Sequence, residues 1–162
     1  MGEILDRFSR LRHEDQTLSL YALVDGLQYQ EYLGCALRAN PARRSLLEDT
    51  PDAPLAHAGP WLIDVTDDSS QTSQLEQLEE ALPSVSWLIT PIDIDGLTQL
   101  LQLKLQAELP DGRKALLRFY DPRVLNNLRQ TMDERQHADF FVAIQEWHYA
   151  CNGERFVVRS HA

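Results

Sequence analysis

Cysteine is scarce in this chain: 162 residues contain only Cys35 and Cys151. The two lie far apart and fit neither a zinc-ligand spacing nor a Cys-x-x-Cys redox motif, so no disulfide scaffold and no metal site is expected from them. Cys35 is expected in a helix and Cys151 in a strand, both as reduced, partly buried thiols. Positive charge is also in short supply. Fifteen Lys and Arg face 25 Asp and Glu, for a net charge of -10. Without a cationic excess there is little to drive binding to nucleic acid or to an anionic membrane surface. No apolar run approaches the roughly 20 residues of a membrane span. Glu3 and Asp6 interrupt the segment where a signal peptide would be apolar, so the cytoplasm is the expected compartment. Glycine-rich phosphate loops, internal repeats and low-complexity segments are missing as well.

What is present suits one compact domain over residues 1–162, with hydrophobic residues at 43%, a normal globular share. Ile4, Phe8 and Leu11 predict a short N-terminal helix, within residues 1–15, loosely docked. Leu18 to Val24 is a continuous apolar run expected to form a buried strand. A helix from Gln28 to Arg38, a loop from Thr50 to Pro60 and a strand from Trp61 to Val65 follow. Ser73 with Glu76 suggests a capping box before Leu75, Leu78 and Leu82. Trp87 to Ile89 forms a third strand, and Asp95 is the expected cap of the next helix. From Leu103 to Leu109 the period changes to two, as in a half-buried strand, with a longer helix as the alternative. Pro110-Asp111-Gly112 makes a tight turn. Thr131 with Glu134 suggests another box, and Asn152-Gly153 is a strong hairpin signal between Trp147–Cys151 and Arg155–Arg159. Strands alternating with helices and then hairpins predict an α/β fold. Its mixed sheet would have a parallel βαβ first half, antiparallel hairpins in the second half, and helices packed on it.

The most informative stretch runs from Leu116 to Leu125. Leu117 and Phe119 alternate with Arg118 and Tyr120 as in a strand. Asp121 can then accept backbone N–H bonds as N-cap, and Pro122 suits the first helical position. Val124, Leu125 and Leu128 continue as a helical stripe, while Arg118 is placed to pair with Asp121.

Arg118-Phe119-Tyr120-Asp121-Pro122-Arg123-Val124-Leu125 resembles the signature of a bacterial family of adaptor chaperones for type VI secretion effectors. Leu20-Tyr21-Ala22-Leu23-Val24-Asp25-Gly26, Pro60-Trp61-Leu62 and Pro110-Asp111-Gly112-Arg113 match it in order, and Trp147 falls at its late tryptophan. The resemblance spans roughly Leu18 to Val158. It implies a non-enzymatic adaptor, without cofactor or metal, whose partners are a secreted effector and the VgrG spike. Family members often carry a further C-terminal helical lobe.

Arg118, Tyr120, Arg123 and Trp147 are the residue types that dominate interface hot spots, and with Asp121 they form the candidate partner-binding set. Trp147 is equally suited to the core. Exposed hairpin edges would also accept an added strand. The alternative is a small metal- or phosphate-dependent hydrolase. In an open parallel sheet Asp25, Asp64 and Asp93 would gather beyond the strand ends, where ligands bind. Against it, residue 27 is leucine, where a second acid would be needed. His13, His57, His137, His148 and His161 show no ligand spacing.

Overall fold

The computed structural model describes residues 2–108 and 110–160, with backbone alone at 107 and 108. Its centre is β1 (Ser19–Asp25), whose five middle residues are buried on both faces. β3 (Pro60–Asp64) and β4 (Val85–Thr90) flank it, each antiparallel to it. β2 (Arg43–Ser45) closes one side. β7 (Glu146–Cys151) and β8 (Glu154–Arg159) extend the other, giving the order β2-β3-β1-β4-β7-β8. A separate hairpin pairs β5 (Gln106–Glu108) with β6 (Lys114–Leu116).

The expected parallel first half is therefore incorrect: every pairing is antiparallel. β3 and β4 do run parallel to each other, joined by α3 (Ser69–Ala81). Strand β1 lies between them, so the crossover skips a strand. The discrepancy has a simple cause. A continuous apolar run marks a strand covered on both faces, which is usual for parallel sheets. Here helices cover both faces of an antiparallel strand and produce the same pattern.

On one face, Tyr21, Leu23, Leu62, Leu88, Trp147 and Tyr149 pack under α4 (Ile94–Lys104), α5 (Pro122–Thr131) and α6 (Glu134–Phe140). On the other, Leu20, Ala22, Trp61, Ile63 and Trp87 meet α1 (Glu3–Glu14), α2 (Gly26–Leu33) and α3. Far from being loosely docked, α1 buries Ile4 and Phe8. Its Arg7 also donates to the two carboxylate oxygens of Glu146 at 3.0 and 2.6 Å.

Local boundaries differ from expectation where a nearer cap wins. α2 stops at Gly34, whose φ of 78° takes the left-handed conformation, so Cys35 lies beyond the helix and is exposed. Asp68, Asp93 and Asp133 cap α3, α4 and α6, in place of the Ser73, Asp95 and Thr131 positions. Asp133 makes a full capping box with Gln136. α4 runs through Leu103, which is exposed, so the strand begins only at Gln106; Leu109 lies outside the described residues. Residues 53–58 of the expected loop form a 3-10 helix. The Asn152-Gly153 turn is as expected, with φ of 53° and 77°.

Candidate functional site

Three of the sequence motifs meet at one end of the sheet, where β1 finishes. Asp25 caps α2 by accepting from the N–H groups of Leu27 and Gln28 at 3.0 and 3.4 Å. It pairs in register with Pro60 of the second motif. Gly26 donates to the Gly59 carbonyl at 2.8 Å. A Cβ at Gly26 would lie 2.4 Å from the His57 carbonyl oxygen and 2.8 Å from the Trp61 ring, so only glycine fits this approach.

The signature segment arrives at the same end. β6 stops at Leu116, earlier than the alternation suggested, and the chain turns before α5. Phe119 is buried against Phe140 and Trp147, with edge-on centroid distances of 5.4 and 5.9 Å. Tyr120 is buried too. Burial pushes its phenol pKa up; Arg118 opposes this, while Asp25 and Asp121 add to it. Both ends of the motif set thus act on one ring.

Asp121 does cap α5, accepting from the Arg123 N–H at 2.9 Å. Its pairing partner is Arg123 rather than Arg118. The guanidinium donates to Oδ1 at 3.0 Å and Oδ2 at 2.8 Å. Two residues on from the cap, Arg123 reaches back over the first turn, which Arg118 does not do. Arg118 is exposed and makes no ion pair among the described residues. Trp147 leaves the candidate surface altogether. It has no accessible area, and its indole Nε1 donates to Ser86 Oγ at 3.0 Å. Tyr120 is likewise turned inward, which leaves Arg118, Asp121 and Arg123 as the polar part of the site. Leu27, Tyr32 and Leu55 are exposed on α2 and the adjoining 3-10 helix, close to where β1 ends.

Removal of the Asp121 carboxylate gives a direct check on this geometry. Asp121→Ala should lower stability by about 0.5–2 kcal/mol, the usual cost of a lost cap. An unchanged urea midpoint would contradict the capping role. Exposure of Arg123 limits what the ion pair adds, to about 1 kcal/mol or less.

The carboxylates of the hydrolase alternative do not come together. Asp64 lies opposite Tyr21 and Asp25 opposite Pro60, four residues further along β1, or roughly 13 Å. Asp93 follows β4 at the Asp64 end and caps α4 through the Gly96 N–H at 2.8 Å. There burial, then Asp64 and Asp93, push the Tyr21 phenol up to about 12, and its hydroxyl donates to the Ile92 carbonyl at 2.8 Å. An antiparallel sheet sends successive strand ends to opposite sides, and the proposed cluster needed a parallel one. Among the described residues no group of three His, Cys, Asp or Glu is placed to hold a metal ion.

A family model described as Domain of unknown function (DUF4123) matches residues 20–139, from β1 to the end of α6. The chain belongs to that family. No curated protein and no solved structure matches it. The DUF4123 match contains all three converging motifs and the Pro110–Arg113 turn, where Arg113 pairs with Asp111 at 2.6 Å. Trp147 and the β7–β8 hairpin lie beyond the matched residues.

The sequence reading missed a second charged centre. Glu146, only 3% exposed at its side chain, holds Arg7, Arg159 and His148 at 2.6, 3.0 and 2.8 Å. Arg7 is 139 residues away in sequence, so no local spacing could have signalled the pair. Among the described residues no helix is long and apolar enough to cross a membrane.

Proposed function

We propose that this DUF4123 chain is a non-enzymatic adaptor chaperone that binds a type VI secretion effector in the cytoplasm and helps load it onto the VgrG spike. The observation that supports it most is the convergence of the signature-like segments on the Asp25 end of the sheet. That end of the sheet carries exposed Arg118 and Arg123 and, on α2 and the 3-10 helix, exposed Leu27 and Leu55. Exposed arginine and exposed aliphatic surface, on a rigid strand-end scaffold, are suited to protein recognition. The resemblance of these segments to effector adaptors supplies the identity of the partner.

The test is co-expression with the effector encoded next to this chain. The effector's soluble yield should rise and the two should co-elute on sizing. Arg118→Glu should weaken co-elution with its melting curve unchanged, because this exposed arginine makes no ion pair among the described residues. Arg123→Glu should weaken co-elution too, at a cost of about 1 kcal/mol from the Asp121 pair. Failure of the wild type to retain the effector would refute the adaptor. Wild-type behaviour of both variants would refute the choice of surface.

A further inference from the structure

β8 is the outer strand of the six-stranded sheet. The two-residue turn at Asn152-Gly153 fixes which of its amides face outward. In such a hairpin Cys151 with Glu154, Tyr149 with Phe156, and Trp147 with Val158 exchange the ladder bonds. Arg155, Val157 and Arg159 therefore direct N–H and C=O away from β7. The Ser160 N–H, donating to the Gln145 carbonyl at 3.3 Å, keeps the same parity. Among the described residues, no hydrogen bond reaches the main chain of those three.

We propose that this edge docks an extended segment of a partner protein, in which acidic residues alternate with apolar ones, as an added strand. The inference rests on the adaptor reading for the partner's identity, and it adds where and how that partner is held. Charge complementarity selects the acidic segment. The side chains of Arg155 and Arg159 share one face of β8, and Arg7 and Arg10 of α1 line the same shallow groove. Glu3 and Asp6 also border it. The carboxylates that bind these arginines, Glu79 and Glu146, are buried beneath them at 7% and 3% exposure. Guanidinium groups thus overlie the buried carboxylates, with Arg159 still 59% exposed, while Glu3 and Asp6 are exposed on the α1 side of the groove.

A second copy of this chain is a poor occupant of the same edge. Two β8 strands related by a two-fold axis at Val157 would set each Arg155 opposite an Arg159, and directly opposed like charges are destabilising. Acidic residues at those positions turn the repulsion into attraction. On the other face of β8, half-buried Phe156 would meet the alternate, apolar side chains. The edge also joins two concavities. Near the hairpin turn, Arg123, Cys151 and Arg155 line a cleft of ≈ 450 Å³. Beyond Arg159, Pro91, Phe141 and Val142 line a groove of ≈ 930 Å³ able to receive an apolar side chain.

The first probe is an octapeptide alternating glutamate with valine, followed by backbone-amide NMR, with a lysine-valine octapeptide as control. The acidic peptide should shift the amides of Arg155, Val157 and Arg159 most, and bind roughly fivefold or more tightly than the lysine peptide. Val157→Pro deletes an outward N–H without touching the β7 ladder, a substitution edge strands tolerate. It should abolish peptide binding and reduce effector co-elution. Arg10→Glu, at an exposed position without an ion pair among the described residues, is the second variant and should weaken the peptide roughly threefold. Equal binding of both peptides, shifts centred elsewhere, or wild-type binding by Arg10→Glu and a folded Val157→Pro would overturn the proposal. Undiminished effector co-elution by the variants would leave the adaptor standing and remove the edge from it. Peptide binding at β8 by a protein that retains no effector would do the reverse.

Discussion

Trp147→Ala should destabilise the protein by about 3–5 kcal/mol, a larger loss than removal of any helix cap or surface ion pair in the fold would give. The ring has no exposed surface and lies at the middle of an aromatic group. Phe119, Phe140 and Phe141 surround it at centroid distances of 5.9, 5.9 and 5.6 Å, two of them edge-on and Phe140 stacked. These three come from the signature turn and from the end of α6, so one side chain joins β7 to the segments above the sheet. Truncation removes the transfer energy of the ring and leaves a cavity that three separate elements would have to close. Its N–H bond to buried Ser86 is lost as well. Trp147→Phe keeps most of the volume and should cost less, about 1–3 kcal/mol, mainly for the hydroxyl left without its donor. Chemical denaturation of both variants separates the two contributions. A loss below about 1 kcal/mol for Trp147→Ala would place the ring outside the core and return it to the candidate partner surface.

Trp147 also shows what a sequence can and cannot disclose. Its identity suits a hot spot and a core equally, and only its registry opposite Leu88 and Val158 decides between them. Local chemistry was legible: the Asp121-Pro122 helix start, the Asn152-Gly153 turn and the apolar run of β1 are all where the residues indicate. Each is fixed by interactions within a few positions. Strand direction was not legible, because the burial pattern of β1 reflects coverage by helices on two faces and carries no sign of which way its neighbours run. That one error propagated to the site. The carboxylates Asp25, Asp64 and Asp93 could converge only if the strands ran parallel. Cap choice failed on a smaller scale, since Asp68, Asp93 and Asp133 each lie within five residues of the expected cap and accept the backbone bonds themselves. The Arg118 assignment failed for the same kind of reason. Two arginines flank Asp121, and backbone direction at the helix start brings only Arg123 over it.

Acid should unfold the protein through Glu146, and Glu146→Gln should remove much of that sensitivity. Burial alone would raise the Glu146 pKa, but hydrogen bonds from Arg7, His148 and Arg159 outweigh it and hold the carboxyl at about 2, against an ordinary value of 4.5. The folded state therefore binds the proton less readily than the unfolded chain. The resulting stabilisation is complete above pH 4.5 and is lost as pH falls toward 2, in total on the order of 3 kcal/mol. His148 acts in the same direction. Burial lowers its pKa below 6.5, the nearby carboxylate only partly opposing this, so the unfolded state takes up that proton first as well. Stability should begin to fall just below pH 6.5 and then fall further below pH 4.5. At neutral pH, Glu146→Gln should cost about 2–4 kcal/mol, because Arg7 and Arg159 lose their shared acceptor and α1 loses its polar tie to β7 and β8. The partial exposure of both guanidinium groups keeps this below the cost of stranding a fully buried charge. Urea midpoints of wild type and variant at pH 7, 5 and 3 provide the measurement. Parallel declines in the two proteins would show that Glu146 is not the acid-sensitive group. A variant less stable at pH 7 whose deficit narrows by about 2 kcal/mol at pH 3 is the expected result, and α1 amides should exchange faster in it at neutral pH, since this carboxylate is what fastens the helix to the edge of the sheet.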